Sequence, residues 1–206
     1  MIVAFDFESF LIRPGLQLPK AVCMSWAEII PNALGAAVGR SGVVTAAEGI
    51  AYLERWLRSG ARLVGAESAF DVLLSVVNAH DTKALLKLWV EAYEAGRVHD
   101  VLIRQKELDL AAGCYRYEDT SDGAKPQFYR YNLAGVALRL CGIKLDKPLG
   151  EDDVDHWRLR FGELDGLPIE QYPRKAYDYA LEDATATASV YIAQESERVN
   201  NPRIKR

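Results

Sequence analysis

The chain has 206 residues, half of them hydrophobic and 26% charged, with a formal net charge of −4. That length suits one large domain with a sizeable core, and the mild acidity excludes a generic basic coat for nucleic acid. Cys23, Cys114 and Cys141 are odd in number and far apart, and His80, His99 and His156 are equally scattered, which speaks against a disulfide framework or a zinc site.

Ile2 to Phe7 reads as a short buried strand beginning almost at the first residue. Pro14, Gly15 and Pro19 mark a turn, after which Ala21 to Ile30 and Gly35 to Val44 read as two further strands of a meander. Ala46 to Arg58 has helical spacing, with Ile50, Leu53, Trp56 and Leu57 on one side and Gly60 as its stop. Arg62 to Ala66 is a short apolar strand. Ser68 is expected to cap a helix whose core stripe is Phe70, Leu73, Leu74 and Val77.

Ala84 to Ala95 is a second amphipathic helix, and a short element at Arg97 to His99 leads into a helix from Val101 to Ala112. Tyr115 to Arg130 is polar and turn-rich around Thr120 to Gly123, so a mobile loop or small hairpin is expected there. Leu133 to Cys141 is a helix stopped by Gly142, Asp152 to Phe161 a short helix, and Lys175 to Glu197 the long last one. Strands early and helices late suggest one mixed sheet with helices packed against it. No apolar run is long enough to cross a bilayer and no N-terminal signal stands out, so a cytoplasmic protein is expected.

Four acidic residues in three places stand out against this background. Asp6 and Glu8 leave the same face of a strand, because strand side chains alternate. Tyr179 and Asp183 share a helical face, because four residues make about one turn. Asp71 lies in the first turn of a helix that follows a strand. Burying Asp6 and Glu8 at the end of an apolar strand is costly without a partner. Close carboxylates also raise one another's pKa unless cations neutralise them. An all-oxygen set suits Mg2+ or Mn2+, and paired hard cations are the usual machinery for attacking a phosphodiester.

The same residues carry a family resemblance. Asp6-Phe-Glu8, Phe70-Asp71 and Tyr179-x-x-x-Asp183 resemble the three motifs of the DEDD, or DnaQ-like, 3′–5′ exonucleases, and the tyrosine resembles that of the DEDDy subgroup. Tyr179 to Thr187 and Asn132 to Lys147 resemble segments of family A DNA polymerases, the latter also of ribonuclease D. Phe5 to Ser9, Arg13 to Gly15, Val22 to Trp26, Arg104-Gln105 and Trp157 to Asp165 resemble the exonuclease portion of bacteriophage family A polymerases. The second motif departs from the usual pattern, with Glu67 where relatives carry an asparagine that positions the terminal nucleotide. Its charge either weakens DNA binding or draws an extra cation, or Glu67 is a tolerated carboxylate at a loop edge. The Asp100-Val101 pair departs from the usual Asp-Thr in the same way.

The resemblance implies a ribonuclease-H-like α/β fold, a five-stranded mixed sheet flanked by helices, with Asp6 and Glu8 on the central strand. It implies two divalent cations, Mg2+ or Mn2+. Asp6, Glu8 and Asp183 would hold one, Asp6 the second, with Asp71 acting through that ion's waters and Tyr179 orienting the attacking water. Phe7, Ile12 and Phe70 are candidates for stacking on single-stranded DNA, Glu67 lies near its path, and Arg104, Lys144 and Lys147 are candidates for backbone phosphates. Residues 2–198 would form the exonuclease domain, with 199–206 a basic tail at the junction to a polymerase domain. The implied activity is release of nucleoside monophosphates from DNA 3′ ends, as the proofreading partner of a phage-type polymerase in a bacterial host cytoplasm. A ribonuclease D-like exoribonuclease and a non-catalytic nucleic-acid-binding domain of the same fold are the alternatives.

Overall fold

The computed structural model describes residues 1–16, 18–32, 35–113, 117–118, 127–128, 130–145 and 156–200. Cys114, Lys147, most of the turn-rich stretch, residues 152–155 of the expected short helix and residues 201–206 of the basic tail lie outside them.

Three antiparallel strands, β1 (Ile2–Ser9), β2 (Ala21–Asn32) and β3 (Gly35–Thr45), form the meander. α1 (Ala46–Arg58) then leads into β4 (Arg62–Gly65), which pairs parallel with β1 on the side away from β2. Thr45 and Glu48 close a reciprocal capping box at the start of α1, which satisfies two of the donors a helix leaves open. After α2 (Ser68–Val77) and α3 (Thr82–Glu94), the short β5 (Val98–Asp100) joins β4 in parallel. The sheet order is β3-β2-β1-β4-β5, so β1 is central, as expected.

Next come α4 (Val101–Ala111), the two-residue strands β6 (Tyr117–Glu118) and β7 (Gln127–Phe128), paired antiparallel, and α5 (Leu133–Cys141). That pairing is the hairpin expected in the turn-rich stretch. The chain ends in α6 (Arg174–Asn200). Between α5 and α6, Trp157–Leu159 and Phe161–Leu164 are two separate 3-10 helices, the first inside the range of the expected short helix and the second running past its expected end at Phe161. Arg160 and Gly162 interrupt any apolar stripe there, and tight turns suffice to fold Phe161 and Leu164 into the core.

Alternation along β1 separates two cores. Val3, Phe5 and Phe7 pack with α1, α2 and α3, while Ala4 packs with α5 and α6. Asp6 and Glu8 share Ala4's face and so look toward α6. Ala176, Ala180, Ala184 and Ala188 are fully buried at four-residue intervals along α6. This row of small side chains brings the helix axis close to β1, β2 and β3.

Two expectations for α2 are corrected. Leu73 and Val77 are each 47% exposed, and the buried face is Asp71, Val72, Leu74, Ser75 and Val76. Asp71 faces β1, where its Oδ1 accepts from Phe7 N at 3.3 Å, and Ser75 Oγ accepts from Trp89 Nε1 at 3.0 Å. These polar anchors turn the helix away from the phase its leucines and valines suggest. Ser68 is the first helical residue and not the cap: Glu67 holds the cap position without a side-chain bond. Asp100 supplies the acceptor instead, through Oδ2 to Ser68 N at 2.7 Å and Ser68 Oγ at 3.2 Å. Its Oδ1 accepts from Leu102 N at 2.9 Å and Ile103 N at 3.0 Å, so one carboxylate caps both α2 and α4.

A buried polar network ties α4, α5 and α6 together. Gln194 Nε2 donates to Val101 O at 2.7 Å and to Gln105 Oε1 at 3.0 Å. Gln105 Nε2 donates to Asp109 Oδ1 at 2.9 Å, and Tyr131 and Arg139 donate to Asp109 Oδ2 at 2.7 and 2.8 Å.

Candidate active site

Central strand and last helix meet at the carboxylates. Oxygen atoms of Asp6, Glu8 and Asp183 all lie within 4.8 Å of one another. Glu8 and Asp183 are buried and Asp6 is half-buried. The β1–β2 register shifts between Glu8 and Ser9, an irregularity at the end of β1 beside the site.

Asp71 stands beside this group and is buried. Burial, then the nearby Asp6, then Glu8 and Glu67 push its carboxyl well above the ordinary range, and the Phe7 N–H works against them. Tyr179 lies one helical turn before Asp183, 8% exposed. Its ring sits edge-on to His156, centroids 5.1 Å apart, and tilted against Phe161 at 5.9 Å. Burial raises the phenol pKa most, followed by Asp183, Glu8 and Asp6, with Arg158 opposing. Tyr179 therefore keeps its proton at neutral pH.

The turn before α2 is tight. A Cβ on Gly65 would meet Ser68 Cβ at 2.8 Å, and Glu67 follows in the left-handed region at φ 60°, ψ 40°. It is the one non-glycine with positive φ among the described residues, and its side chain is exposed. A left-handed non-glycine costs roughly 1–2 kcal/mol, so the second motif is held under backbone strain.

The other expected residues are dispersed. Phe7 is 5% exposed and points into the first core, on the face opposite Asp6 and Glu8. Phe70 packs half-buried on that core, Ile12 is 61% exposed in the turn after β1, and Lys144 is exposed after α5. Arg104 pairs with Glu195 and lies over the Tyr191 ring, 5.1 Å from its centroid. It lines a cavity of about 660 Å³ at the β5 edge, together with Arg62, Ser68, Tyr93, His99 and Glu195. None of the three clustered carboxylates lines that cavity.

Three neighbours of the site were not legible beforehand. Cross-strand pairing sets Ser25 opposite Asp6 and Cys23 opposite Glu8, on the same sheet face. Both are fully buried, and burial, Glu8 and Asp6 push the Cys23 thiol well up. The third is His156, against Tyr179. The β1–β2 register is the signal that reveals the first two; no local motif marks His156.

The donor set fits a hard divalent cation. All three clustered donors are carboxylate oxygens, and their mutual spacing of at most 4.8 Å compares with roughly 4.2 Å across an octahedral Mg2+ shell. Nitrogen or sulfur donors that would favour zinc are missing from the cluster.

No protein-family model and no curated protein matches the chain. Among solved structures it is similar to the catalytic core of RRP6 from Trypanosoma brucei, at 15% identity and a TM-score of 0.52, over 98% of this chain and 42% of that one. It is also similar to the zinc-bound E. coli ExoI–ssDNA complex, at 15% identity, over 99% of this chain and 41% of that one, with a TM-score of only 0.37. The chain thus spans about two-fifths of each. With the β3-β2-β1-β4-β5 order, the first likeness defines the class of fold: ribonuclease-H-like α/β, a five-stranded mixed sheet flanked by helices. Among the described residues no helix is long and apolar enough to cross a membrane.

Proposed function

We propose that this protein is a divalent-metal-dependent 3′–5′ exonuclease acting on single-stranded or frayed DNA ends, in the editing role implied by its resemblance to phage polymerase exonucleases. The observation that carries the reading is the meeting of Asp6, Glu8 and Asp183 within 4.8 Å. Beside them lie the buried Asp71 and a protonated Tyr179 on the same helix as Asp183.

Asp6, Glu8 and Asp183 would hold Mg2+ or Mn2+. Bound there, the cations would supply Lewis-acid stabilisation of the phosphate charge and a more acidic water. Tyr179, wedged between His156 and Phe161, is held to donate or accept one hydrogen bond at a fixed point and to orient the attacking water. Asp71, anchored on the Phe7 N–H, lies buried beside Asp6, where a bound cation would favour its ionised form. Water adds to the terminal phosphorus, the P–O3′ bond breaks, and the shortened strand's 3′ oxygen takes a proton. The products are a nucleoside 5′-monophosphate and a strand one residue shorter.

The test is degradation of a 5′-labelled single-stranded DNA beside its RNA counterpart, with Mg2+, Mn2+ or EDTA, using wild type and Asp6→Ala. A 3′ ladder on DNA that requires the metal and disappears in the variant is expected. Faster loss of RNA would move the substrate to RNA. A folded wild-type protein that cleaves neither would overturn the reading.

A further inference from the structure

Two hydroxyls beneath the carboxylates are enclosed in protein. Ser25 and Thr187 are fully buried, and among the described residues neither Ser25 Oγ nor Thr187 Oγ1 has a hydrogen-bond partner. Burying a hydroxyl without a partner is costly, and such atoms are rare in folded proteins. Thr187 also forgoes the bond nearest to hand. On the same helix Thr185 Oγ1 donates to Leu181 O at 3.0 Å and Ser189 Oγ to Thr185 O at 2.8 Å. That return to the preceding turn is the usual resort of a helical hydroxyl, and Thr187 does not take it.

Strand register and helix phase put both hydroxyls at the cation site. Ser25 pairs with Asp6 across the β1–β2 ladder, and such partners leave the sheet on one face with Cβ atoms roughly 4.5–5.5 Å apart. α6 runs along that face. Tyr179 and Ala180 pack with Val22 and Cys23 on one side of Ser25, while Ala184, Ala188 and Tyr191 pack with Ala4 and Ala27 on the other. The stretch from Asp183 to Thr187 therefore passes Ser25. Thr187 follows Asp183 by one turn, about 6 Å along the axis, and two residues of a strand span about 6.7 Å. This sets Thr187 one step below Asp6 and Asp183, at the level of the Ala4–Ala27 pair, whose methyl groups offer it no polar atom. It points at the sheet: Ala180, Asp183, Ala184, Tyr191 and Gln194, all buried, lie within about 60° of it around the helix. Helical side chains lean toward the preceding turn, which carries the Thr187 hydroxyl toward Asp183.

We propose that Ser25 and Thr187 are positioning residues of the cation site, whose hydroxyls donate to the carboxylates of Asp6 and Asp183 and fix which oxygens these turn to the metal. The inference rests on the reading of Asp6, Glu8 and Asp183 as cation ligands. A carboxylate has about four lone-pair sites, more than one cation uses, so the side turned from the ion can accept a hydroxyl. Partners of this kind hold a ligating carboxylate in one orientation. Neither hydroxyl is asked to touch metal or substrate.

The test is Mn2+ binding by calorimetry, beside thermal melts of the metal-free protein, for wild type, Ser25→Ala, Thr187→Val and Thr187→Ser. Valine exchanges the hydroxyl for a methyl group of similar size, so Thr187→Val should melt no lower than wild type. It should nevertheless bind Mn2+ at least about tenfold more weakly, and Ser25→Ala likewise. Thr187→Ser keeps the hydroxyl and should bind within about twofold of wild type. Equal affinity of wild type and Thr187→Val would overturn the proposal. So would Thr187→Ser binding as weakly as Thr187→Val, since packing and not the hydroxyl would then set the affinity. A wild type that binds no Mn2+ would overturn this inference and the cation reading together. Binding that depends on both hydroxyls, in a protein that cleaves neither DNA nor RNA, would sustain this inference and sink the nuclease reading.

Discussion

Asp100 is the residue whose removal separates two effects cleanly. Its two oxygens accept four hydrogen bonds, two from Ser68 at the start of α2 and two from Leu102 and Ile103 at the start of α4. Losing a cap costs about 1 kcal/mol per helix, and losing a negative charge from a helix N-terminus roughly 0.3–1 kcal/mol more for each. Asp100→Ala should therefore destabilise the protein by about 2–4 kcal/mol, well short of unfolding a domain of this size. Asp100→Asn keeps one acceptor oxygen and can serve only one helix, so it should cost about half as much. Urea melts give the stabilities, and hydrogen exchange at Ser68 and Ile103 shows which helix Asn still caps. Asp71 sits three residues beyond Ser68, so cleavage by Asp100→Ala should fall further than the population of folded protein. A cost of Asp100→Ala below about 0.5 kcal/mol, typical of a surface site, would refute the double cap. Asn as costly as Ala would refute the division of labour between the two oxygens.

Asp183→Asn should lower cleavage by at least about a hundredfold and weaken Mn2+ binding measured by calorimetry, with the fold retained. Tyr179→Phe should keep KM and lower kcat by roughly 10–100-fold, as expected for a group that positions the attacking water. Asp71→Asn should stabilise the metal-free protein above the ordinary carboxylate range of pH, because it removes a group whose ionised form burial and the neighbouring carboxylates disfavour and keeps an oxygen for Phe7 N. The sign with pH follows from the raised carboxyl of Asp71. The folded state binds the proton more tightly, so its penalty is absent below the unfolded pKa near about 4 and grows as pH rises toward the folded value. The stability advantage of Asn over wild type should grow over the same window and vanish in acid. Glu67→Asn should add about 0.5–1 kcal/mol, since asparagine tolerates the left-handed region. It should also lower KM for DNA by removing a negative charge; a higher KM would show that the carboxylate itself contacts substrate.

What could be read from the chain beforehand was local. Alternation from Ile2 to Glu8 set Asp6 and Glu8 on one strand face, and the four-residue step set Tyr179 with Asp183; the structure shows both. The meander and the long last helix follow from apolar periodicity in the same way. The phase of α2 was not legible, because Leu73 and Val77 offer the helix as good an apolar face as Val72 and Val76. Asp71 and Ser75 decide between them only once Phe7 and Trp89 are in place. Asp100, far along the chain from Ser68, supplies the acceptor that a local capping rule assigned to Ser68 itself. Arg104 looked free for a phosphate; its partner Glu195 lies 91 residues away. Contacts across such distances leave no periodic trace.

The buried glutamine network has a bearing on the site that its distance conceals. Gln194 follows Asp183 by eleven residues on one uninterrupted helix, which is three turns plus about 20°. The two side chains therefore have nearly the same azimuth. Gln194 is clamped to Val101 O and Gln105, which is itself locked to Asp109. Any roll of α6 about its axis would break that clamp and strand buried amides. Some 16 Å from the carboxylates, Gln194 acts as the index pin of a shaft, and the orientation it sets at one end is the orientation delivered to Asp183 at the other.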